Sequence, residues 1–136
     1  MQPKTIVVTG ASTGIGYAIA KLFIERGHHV VMNSLNKENL VKAYASLGSP
    51  SNTVVFAGDI SEKNTSNALI AEAVKHFGKV DVLINNAGIF SPKPFLDVEE
   101  ADIDKYIKTN LKGTFYTSQA AVTNMLGNGG GSIINI

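Results

Sequence analysis

The stretch Thr9-Gly10-Ala11-Ser12-Thr13-Gly14-Ile15-Gly16, here called the glycine turn, decides the fold of this 136-residue chain. It follows a run of β-branched residues at 5–9 without polar alternation, which is typical of a strand buried on both faces of a parallel sheet. After the turn, apolar residues at helical spacing extend to about residue 26, and Gly27 provides a C-terminal stop. The sequence therefore predicts a strand, a tight turn and a helix in immediate succession.

The three glycines of the turn have separate predicted roles. Gly10 allows a sharp bend, Gly14 lets the backbone approach a ligand closely, and Gly16 permits close packing of helix on strand. The start of the following helix offers unpaired N–H groups and a partial positive charge to phosphate oxygens. Because the turn directly follows a strand, we interpret it as the binding site of a dinucleotide pyrophosphate. The alternative is a strand-to-helix connection that merely requires glycine. The predicted contacts of the turn are Gly10, Ser12, Thr13, Gly14, Ile15 and Gly16.

The same alternation of strand and helix continues along the chain. Predicted strands lie at residues 5–9, 29–33, 53–57, 80–84 and 132–136. Predicted helices lie at residues 14–26, 37–47, 62–77 and 99–125. We expect Ser61 to cap the third helix, and Asn110 and Gly113 to mark an irregular turn within the unusually long fourth one. Right-handed crossovers between such strands give an α/β fold, a Rossmann-type doubly wound parallel sheet.

Length and composition fit a single domain spanning residues 1–136. The last predicted element is a strand that no further helix covers, so we expect the domain to be incomplete, truncated after the fifth strand. Twelve Lys and Arg residues balance eleven Asp and Glu residues, and the scattered charges predict neither a nucleic-acid nor a membrane partner. The absence of cysteine excludes disulfides and thiolate metal sites and favours a cytoplasmic location.

The three histidines, His28, His29 and His76, lack the spacing of metal ligands. We therefore predict no metal site and expect these side chains at solvated or edge positions. Tyr17 and Lys21 have the spacing of a catalytic Tyr-x-x-x-Lys pair, but they fall in the helix that follows the glycine turn. We interpret this pair as a surface contact and not as catalytic.

Four motifs, in the right order and spacing, resemble those of the short-chain dehydrogenases/reductases. They are the glycine turn, Gly58-Asp59-Ile60 after the third strand, Asn85-Asn86-Ala87-Gly88 after the fourth, and Asn110-Leu111-x-Gly113 in the long helical region. The resemblance covers essentially the whole chain. It implies an oxidoreductase that transfers a hydride between NAD(P)(H) and a small-molecule carbonyl or secondary alcohol. It also implies a homo-oligomer, either a dimer or a tetramer, because the long helix resembles the dimer-forming helix of the family.

The resemblance also implies roles for individual residues. Asp59 would hydrogen-bond the adenine amino group, with the backbone of Ile60 beside it. The stretch Asn86-Ala87-Gly88 would line the ribose and pyrophosphate side, while its asparagine ties strands together. Asn110 matches the catalytic asparagine, which holds a helix kink and a water in a proton relay. A solvated loop carboxylate at 59, a purely structural asparagine at 86 and a helix break for packing at 110 are the alternatives.

The other catalytic residues of the family, a serine just after the fifth strand and a Tyr-x-x-x-Lys pair, would lie beyond Ile136. The chain alone is therefore predicted to be inactive, although the family implies an enzyme. The alternative function is a non-catalytic dinucleotide-binding or sensor module. Asn110 favours the enzyme, because a pure binding module does not need it.

The choice of cofactor is normally decided where the second strand ends. In this sequence Ser34 occupies the acidic position of NAD-dependent members, Leu35 occupies the basic position, and Thr13 stands where many NADP-dependent members carry Arg or Lys. Without a carboxylate the site would not repel a 2′-phosphate, and Ser34, Asn36 or Lys37 would be able to hydrogen-bond it. The sequence slightly favours NADP as the NAD(P) cofactor and leaves dual use open.

Overall fold

A computed structural model describes residues 2–136, so the first residue of the predicted domain lies outside it. Five parallel strands form one sheet in the order β3-β2-β1-β4-β5. The strands are β1 Thr5–Val8, β2 His29–Ser34, β3 Thr53–Ala57, β4 Val82–Asn85 and β5 Ser132–Asn135. Successive strands are added on one side of β1 up to β3 and on its other side from β4 onwards. The helices that follow β1 and β4 therefore lie on opposite faces, which opens a crevice at the carboxyl ends of these two strands. The predicted doubly wound α/β architecture is confirmed.

Helices cover both faces of this sheet. They are α1 Gly14–Glu25, α2 Lys37–Ser46, α3 Lys63–Phe77, α4 Glu100–Tyr106 and α5 Thr114–Leu126. A 3₁₀ turn, Phe95–Asp97, precedes α4, and a π-helix, Ile107–Gly113, joins α4 to α5. The π-helix is the irregularity that Asn110 and Gly113 predict within the long helical region, and such segments are frequent at functional sites.

The apolar core has two halves because neighbouring residues of each strand point to opposite faces. Val7 faces one side, where Leu69 of α3 and Ala121 of α5 complete a buried cluster. Ile6 and Val8 face the other side, against α1 and α2. All four residues of β1 are buried, as expected for the central strand of a sheet covered on both faces. Each such aliphatic side chain contributes roughly 1.5–3 kcal/mol by its burial.

Two local expectations are wrong. Ser61 does not cap α3, because the helix begins two residues later, with Glu62 at the N-cap position, and the N–H of Ser61 donates to Asp59 Oδ1 at 2.9 Å in the turn before it. His28 is neither solvated nor at an edge, since only 9% of it is exposed. Its Nδ1 accepts the backbone N–H of Lys4 at 3.1 Å, so the ring satisfies the polar group that leads into β1.

The Tyr17 and Lys21 side chains make separate surface contacts. The Tyr17 hydroxyl shares a hydrogen bond of 2.8 Å with the hydroxyl of Ser46 on α2. Lys21 Nζ lies 3.8 Å from Glu25 Oε1, one turn further along α1. These partners agree with a surface role for both residues.

Candidate cofactor site

The glycine turn ends in an open helix N-terminus. Thr13 is the N-cap of α1, and within the described part of the chain its side chain caps none of the first N–H groups. Gly14 has a φ of +57°, and a Cβ at this position would meet no atom of residues 2–136 within 4 Å. This combination of free N–H groups and an uncovered backbone is suited to the oxygens of a phosphate.

Gly16 has the opposite environment. A Cβ there would collide with the carbonyl oxygen of Gly10 and with Nδ2 of Asn86. The absence of a side chain therefore lets the first turn of α1 lie directly against the glycine turn. The predicted role of Gly16 in close packing agrees with this contact, although the neighbours are the turn and Asn86 and not the strand itself.

Asn86 and Thr9 join the glycine turn to the end of β4. Asn86 Nδ2 donates to the carbonyl oxygens of Thr9 and Gly10, each at 3.1 Å. In return, Thr9 Oγ1 accepts the N–H groups of Asn86 and Ala87, both at 3.0 Å. The side-chain amide of Asn86 thus holds the shape of the turn. This contact supports a structural role for Asn86, one of the two roles that the sequence leaves open.

Ser34 lies at the carboxyl end of β2 and touches the same turn. Its hydroxyl shares a hydrogen bond of 2.9 Å with the hydroxyl of Ser12, and its residue surface is 8% exposed. Leu35, the next residue, is 72% exposed. The Oδ1 atom of Asn36 accepts the N–H of Asn39 at 2.9 Å and so caps α2. The end of β2 therefore presents the hydroxyl of Ser34 to the glycine turn, and residues 33–36 include no carboxylate.

A cleft of about 330 Å³ opens at the carboxyl end of β2, on the side away from the glycine turn. Asp59 and Ile60 form one wall, and Ala87 and Gly88 form part of the other. Lys108 of the π-helix also lines it, and its Nζ lies 2.7 Å from Glu62 Oε1. That hydrogen bond and the charge of Glu62 raise the pKa of Lys108, which therefore stays protonated. The cleft is partly apolar, and Asp59 is the one carboxylate among the described residues that line it, which suits a heterocycle that donates a hydrogen bond.

Asn110 connects the π-helix to the loop that follows β4. Its Oδ1 accepts the N–H of Ile89 at 2.8 Å, and its Nδ2 donates to the carbonyl of the same residue at 2.9 Å. The hydroxyl of Thr114 donates to the carbonyl oxygen of Asn110 at 2.9 Å. Both ends of the side-chain amide are therefore engaged in positioning the loop that follows β4.

The predicted site residues fall into two groups in space. The glycine turn, Ser34 and Asn86-Ala87-Gly88 meet at the carboxyl ends of β1, β2 and β4. Asp59 and Ile60 lie across the cleft from Gly88. Asn110 reaches this region through Ile89 and does not itself contact the glycine turn in the structure. Within residues 2–136, no three His, Asp or Glu side chains are grouped so as to hold a metal ion.

A polar cluster around Asn85, which the sequence reasoning missed, supports this end of the sheet. Asn85 Oδ1 accepts the hydroxyl of Thr117 at 2.5 Å, and Asn85 Nδ2 donates to Ser118 Oγ at 2.9 Å and to Asn135 Oδ1 at 3.0 Å. One amide thereby joins β4, α5 and β5. Thr117 lies one turn before the buried Ala121. The sequence signal that could have revealed this cluster is Thr117, a polar residue on the apolar stripe of a helix.

These features define a doubly wound α/β protein with a glycine turn at its crevice. A family model described as short chain dehydrogenase matches residues 4–136. The chain belongs to the short-chain dehydrogenase family. No helix among residues 2–136 has both the length and the apolar character needed to cross a bilayer.

Named relatives agree with this assignment. The chain is 38% identical over 133 residues to the NAD-dependent glycerol dehydrogenase of Listeria innocua, with 98% of this chain and 52% of the relative covered. It is 36% identical over 141 residues to the L-rhamnose 1-dehydrogenase (NAD(P)(+)) of a Sphingomonas strain, with 100% of this chain and 55% of the relative covered. The chain thus spans about half the length of the curated relatives it matches.

Solved structures show the same fold. The 3-ketoacyl-(acyl-carrier-protein) reductase of Brucella melitensis, complexed with NADH, superimposes with a TM-score of 0.90 at 29% identity. The match covers 97% of this chain and 55% of the reductase. A glucose/ribitol-type short-chain dehydrogenase from the same organism gives a TM-score of 0.85 at 39% identity, covering 89% and 52% of the two chains.

Proposed function

We propose that this chain is the dinucleotide-binding part of an oxidoreductase that transfers a hydride between NAD(P)(H) and a carbonyl or secondary alcohol. The observation that carries the proposal is the glycine turn, which presents uncapped N–H groups of α1 and the open face of Gly14 at the crevice of the sheet. Membership of the family and the dehydrogenases among its relatives support the same activity.

Different residues of the site bind different parts of the cofactor. The first N–H groups of α1, at residues 14–16, bind the pyrophosphate. Asp59 and the backbone of Ile60 hold the adenine in the cleft of about 330 Å³, where the carboxylate accepts a hydrogen bond from the amino group. Ala87 and Gly88 form the opposite wall, which leaves room for the ribose. When bound, the nicotinamide supplies or accepts the hydride, and Asn110 positions the loop at residues 88–91 beside it.

The site also favours NADP over NAD. An NAD-selective site of this fold places a carboxylate on the ribose hydroxyls at the end of the second strand, and Ser34 stands there in this chain. A buried hydroxyl bonded to Ser12 repels no phosphate. The named relatives use both forms, since one is called NAD-dependent and the other NAD(P)(+)-dependent.

A homo-oligomer is part of the proposal. The helical region from α4 to α5 exposes large apolar side chains on its outer surface. They are Ile103, Ile107, Leu111, Phe115, Val122 and Leu126. Such a concentration of exposed apolar side chains is typical of a protein interface. Analytical ultracentrifugation is expected to show a dimer or larger species that Phe115→Asp weakens, and a monomer at every concentration would contradict it.

Calorimetric titration of the protein with NADH, NADPH and ADP-ribose tests the central proposal. Each ligand is expected to bind with one site per chain, because all three carry the pyrophosphate. Nicotinamide mononucleotide, which lacks the adenine and the second phosphate, should bind much more weakly. Failure of all three pyrophosphate ligands to bind at millimolar concentration would contradict the proposed function.

A further inference from the structure

A second cleft, of about 510 Å³, lies between the glycine turn, α1 and α2. Its walls include Ser12, Thr13 and Gly14 of the turn, and Asn39 and Lys42 of α2. Among the described residues that line this cleft, Lys42 alone carries a charge. We propose that Lys42 binds the 2′-phosphate of NADP(H) and thereby sets the preference between the two cofactors. This inference rests on the proposed function.

The cleft adjoins the expected position of the 2′-substituent. The hydrogen bond between the hydroxyls of Ser12 and Ser34 places this part of the turn beside the end of β2. In dinucleotide-binding folds of this kind, the adenosine ribose lies at the end of the second strand. A phosphate on its 2′-oxygen therefore projects from β2 towards the Ser12 and Thr13 wall of the cleft.

The side chain of Lys42 points towards the N-terminal end of α2, which follows β2. Its Nζ lies 2.6 Å from Oε1 of Glu38, which is one turn closer to the N-terminus of the helix. The ammonium group thus lies near the helix end that directly follows β2, although Lys42 itself is in the second turn. The two positions where a basic residue would be expected carry Thr13 and Leu35, so Lys42 supplies a positive charge that neither of these residues provides.

The ion pair with Glu38 does not prevent this role. The side chains of Lys42 and Glu38 are 70% and 74% exposed, and exposed pairs with this spacing contribute little to stability. A phosphate dianion makes a stronger charge-assisted contact with an ammonium group than one exposed carboxylate does. Lys42 therefore turns from Glu38 to the 2′-phosphate when NADP(H) is bound and stays paired with Glu38 when NAD(H) is bound.

The test compares ligands that differ only in the 2′-phosphate. NADP⁺ and NAD⁺, together with 2′,5′-ADP and 5′-AMP, are titrated calorimetrically into the protein and into Lys42→Met. We expect the variant to lose at least fivefold in affinity for NADP⁺ and 2′,5′-ADP and to bind NAD⁺ and 5′-AMP within twofold of the original. The matched control is Lys75→Met, which breaks the ion pair with Glu72 on α3 at a distance from the glycine turn, and whose lysine side chain is as exposed as that of Lys42.

A second variant acts in the opposite direction. Glu38→Gln removes the competing carboxylate and is expected to raise the affinity for NADP⁺ while leaving that for NAD⁺ unchanged. Equal losses for both dinucleotides in Lys42→Met, or no loss for either, would overturn the role of Lys42 while leaving the proposed function in place. If the original protein binds none of the four ligands, the proposed function fails, and the role of Lys42 fails with it.

Discussion

Replacement of Gly14 by alanine separates ligand binding from backbone strain. Gly14 has a φ of +57°, which an L-residue adopts at a cost of about 1–2 kcal/mol. A Cβ there meets no atom of residues 2–136 within 4 Å, so this conformational cost is the main contribution to the change in the unfolding free energy. The protein should therefore remain folded and lose about 1–2 kcal/mol of stability in urea denaturation followed by circular dichroism.

The Gly14→Ala variant should also lose ligand affinity, although it remains folded. The methyl group of Gly14→Ala occupies the space through which the pyrophosphate approaches α1. Loss of one charge-assisted hydrogen bond costs about 1.5–3 kcal/mol. This loss corresponds to a decrease in affinity for NADH or ADP-ribose of about 10- to 150-fold. Calorimetric titration under native conditions measures that decrease on the folded protein.

Gly78→Ala is the matched control. Gly78 has a φ of +84° at the C-cap of α3, and a Cβ there also meets none of the described residues within 4 Å. Both variants should therefore lose similar stability, but only Gly14→Ala should lose ligand affinity. Equal affinities for ADP-ribose in the two variants would refute the assignment of the glycine turn as the pyrophosphate site.

Further expectations concern the carboxylate of Asp81, the polar cluster at Asn85 and Tyr17, which has the spacing of a catalytic tyrosine but lies on the surface of α1. Burial alone would raise the pKa of Asp81, but its hydrogen bond to Lys79 is among the contacts that lower it, and the net pKa lies below its usual value. The ionised form therefore stabilises the fold above the unfolded pKa of about 4, and this stability is lost as the pH falls through the folded pKa. Asp81→Asn should therefore weaken the decrease of the unfolding free energy over this acidic pH range. An unchanged pH dependence in the variant would contradict the role of the Asp81 carboxylate. Asn85→Ala removes three side-chain hydrogen bonds and should cost about 2–4 kcal/mol in urea denaturation, against about 1 kcal/mol for Thr117→Val; equal losses would exclude Asn85 as the centre of the cluster. The 136-residue chain should not oxidise NADPH in the presence of carbonyl compounds, and oxidation that Tyr17→Phe abolished would show that the tyrosine is catalytic after all.

The order of strands and helices could be predicted because it depends on local patterns. The β-branched run of β1 and the glycines after each helix are visible in the sequence without knowledge of their neighbours. The cap of α3 was predicted wrongly because Ser61 has the residue type of a cap, while the chain makes a turn at residues 59–61 that places Glu62 at the N-cap position. His28 was placed wrongly because its burial depends on a distant backbone group, the N–H of Lys4, which needs an acceptor.

The site was predictable in its composition but not in its connections. The spacing of glycines around Gly14 indicates a phosphate turn, and the structure leaves that turn open. The sequence does not show that both ends of the Asn110 amide bond the backbone of Ile89, since that pairing depends on a loop folding back onto the π-helix. Likewise, Lys42 resembles any exposed lysine of a helix until α2 is placed beside the glycine turn.

The link between Asn86 and the glycine turn has a consequence for the order in which the protein folds. The bonds from Asn86 to Thr9 and Gly10 join residues 77 and 76 positions apart in the sequence. Contacts of this separation form late, because the intervening chain must first be ordered at an entropic cost. During synthesis, the turn therefore cannot reach its final shape before β4 has emerged from the ribosome. A nucleotide that recognises this shape can stabilise the finished domain by mass action, but it cannot guide the first half of the chain towards it.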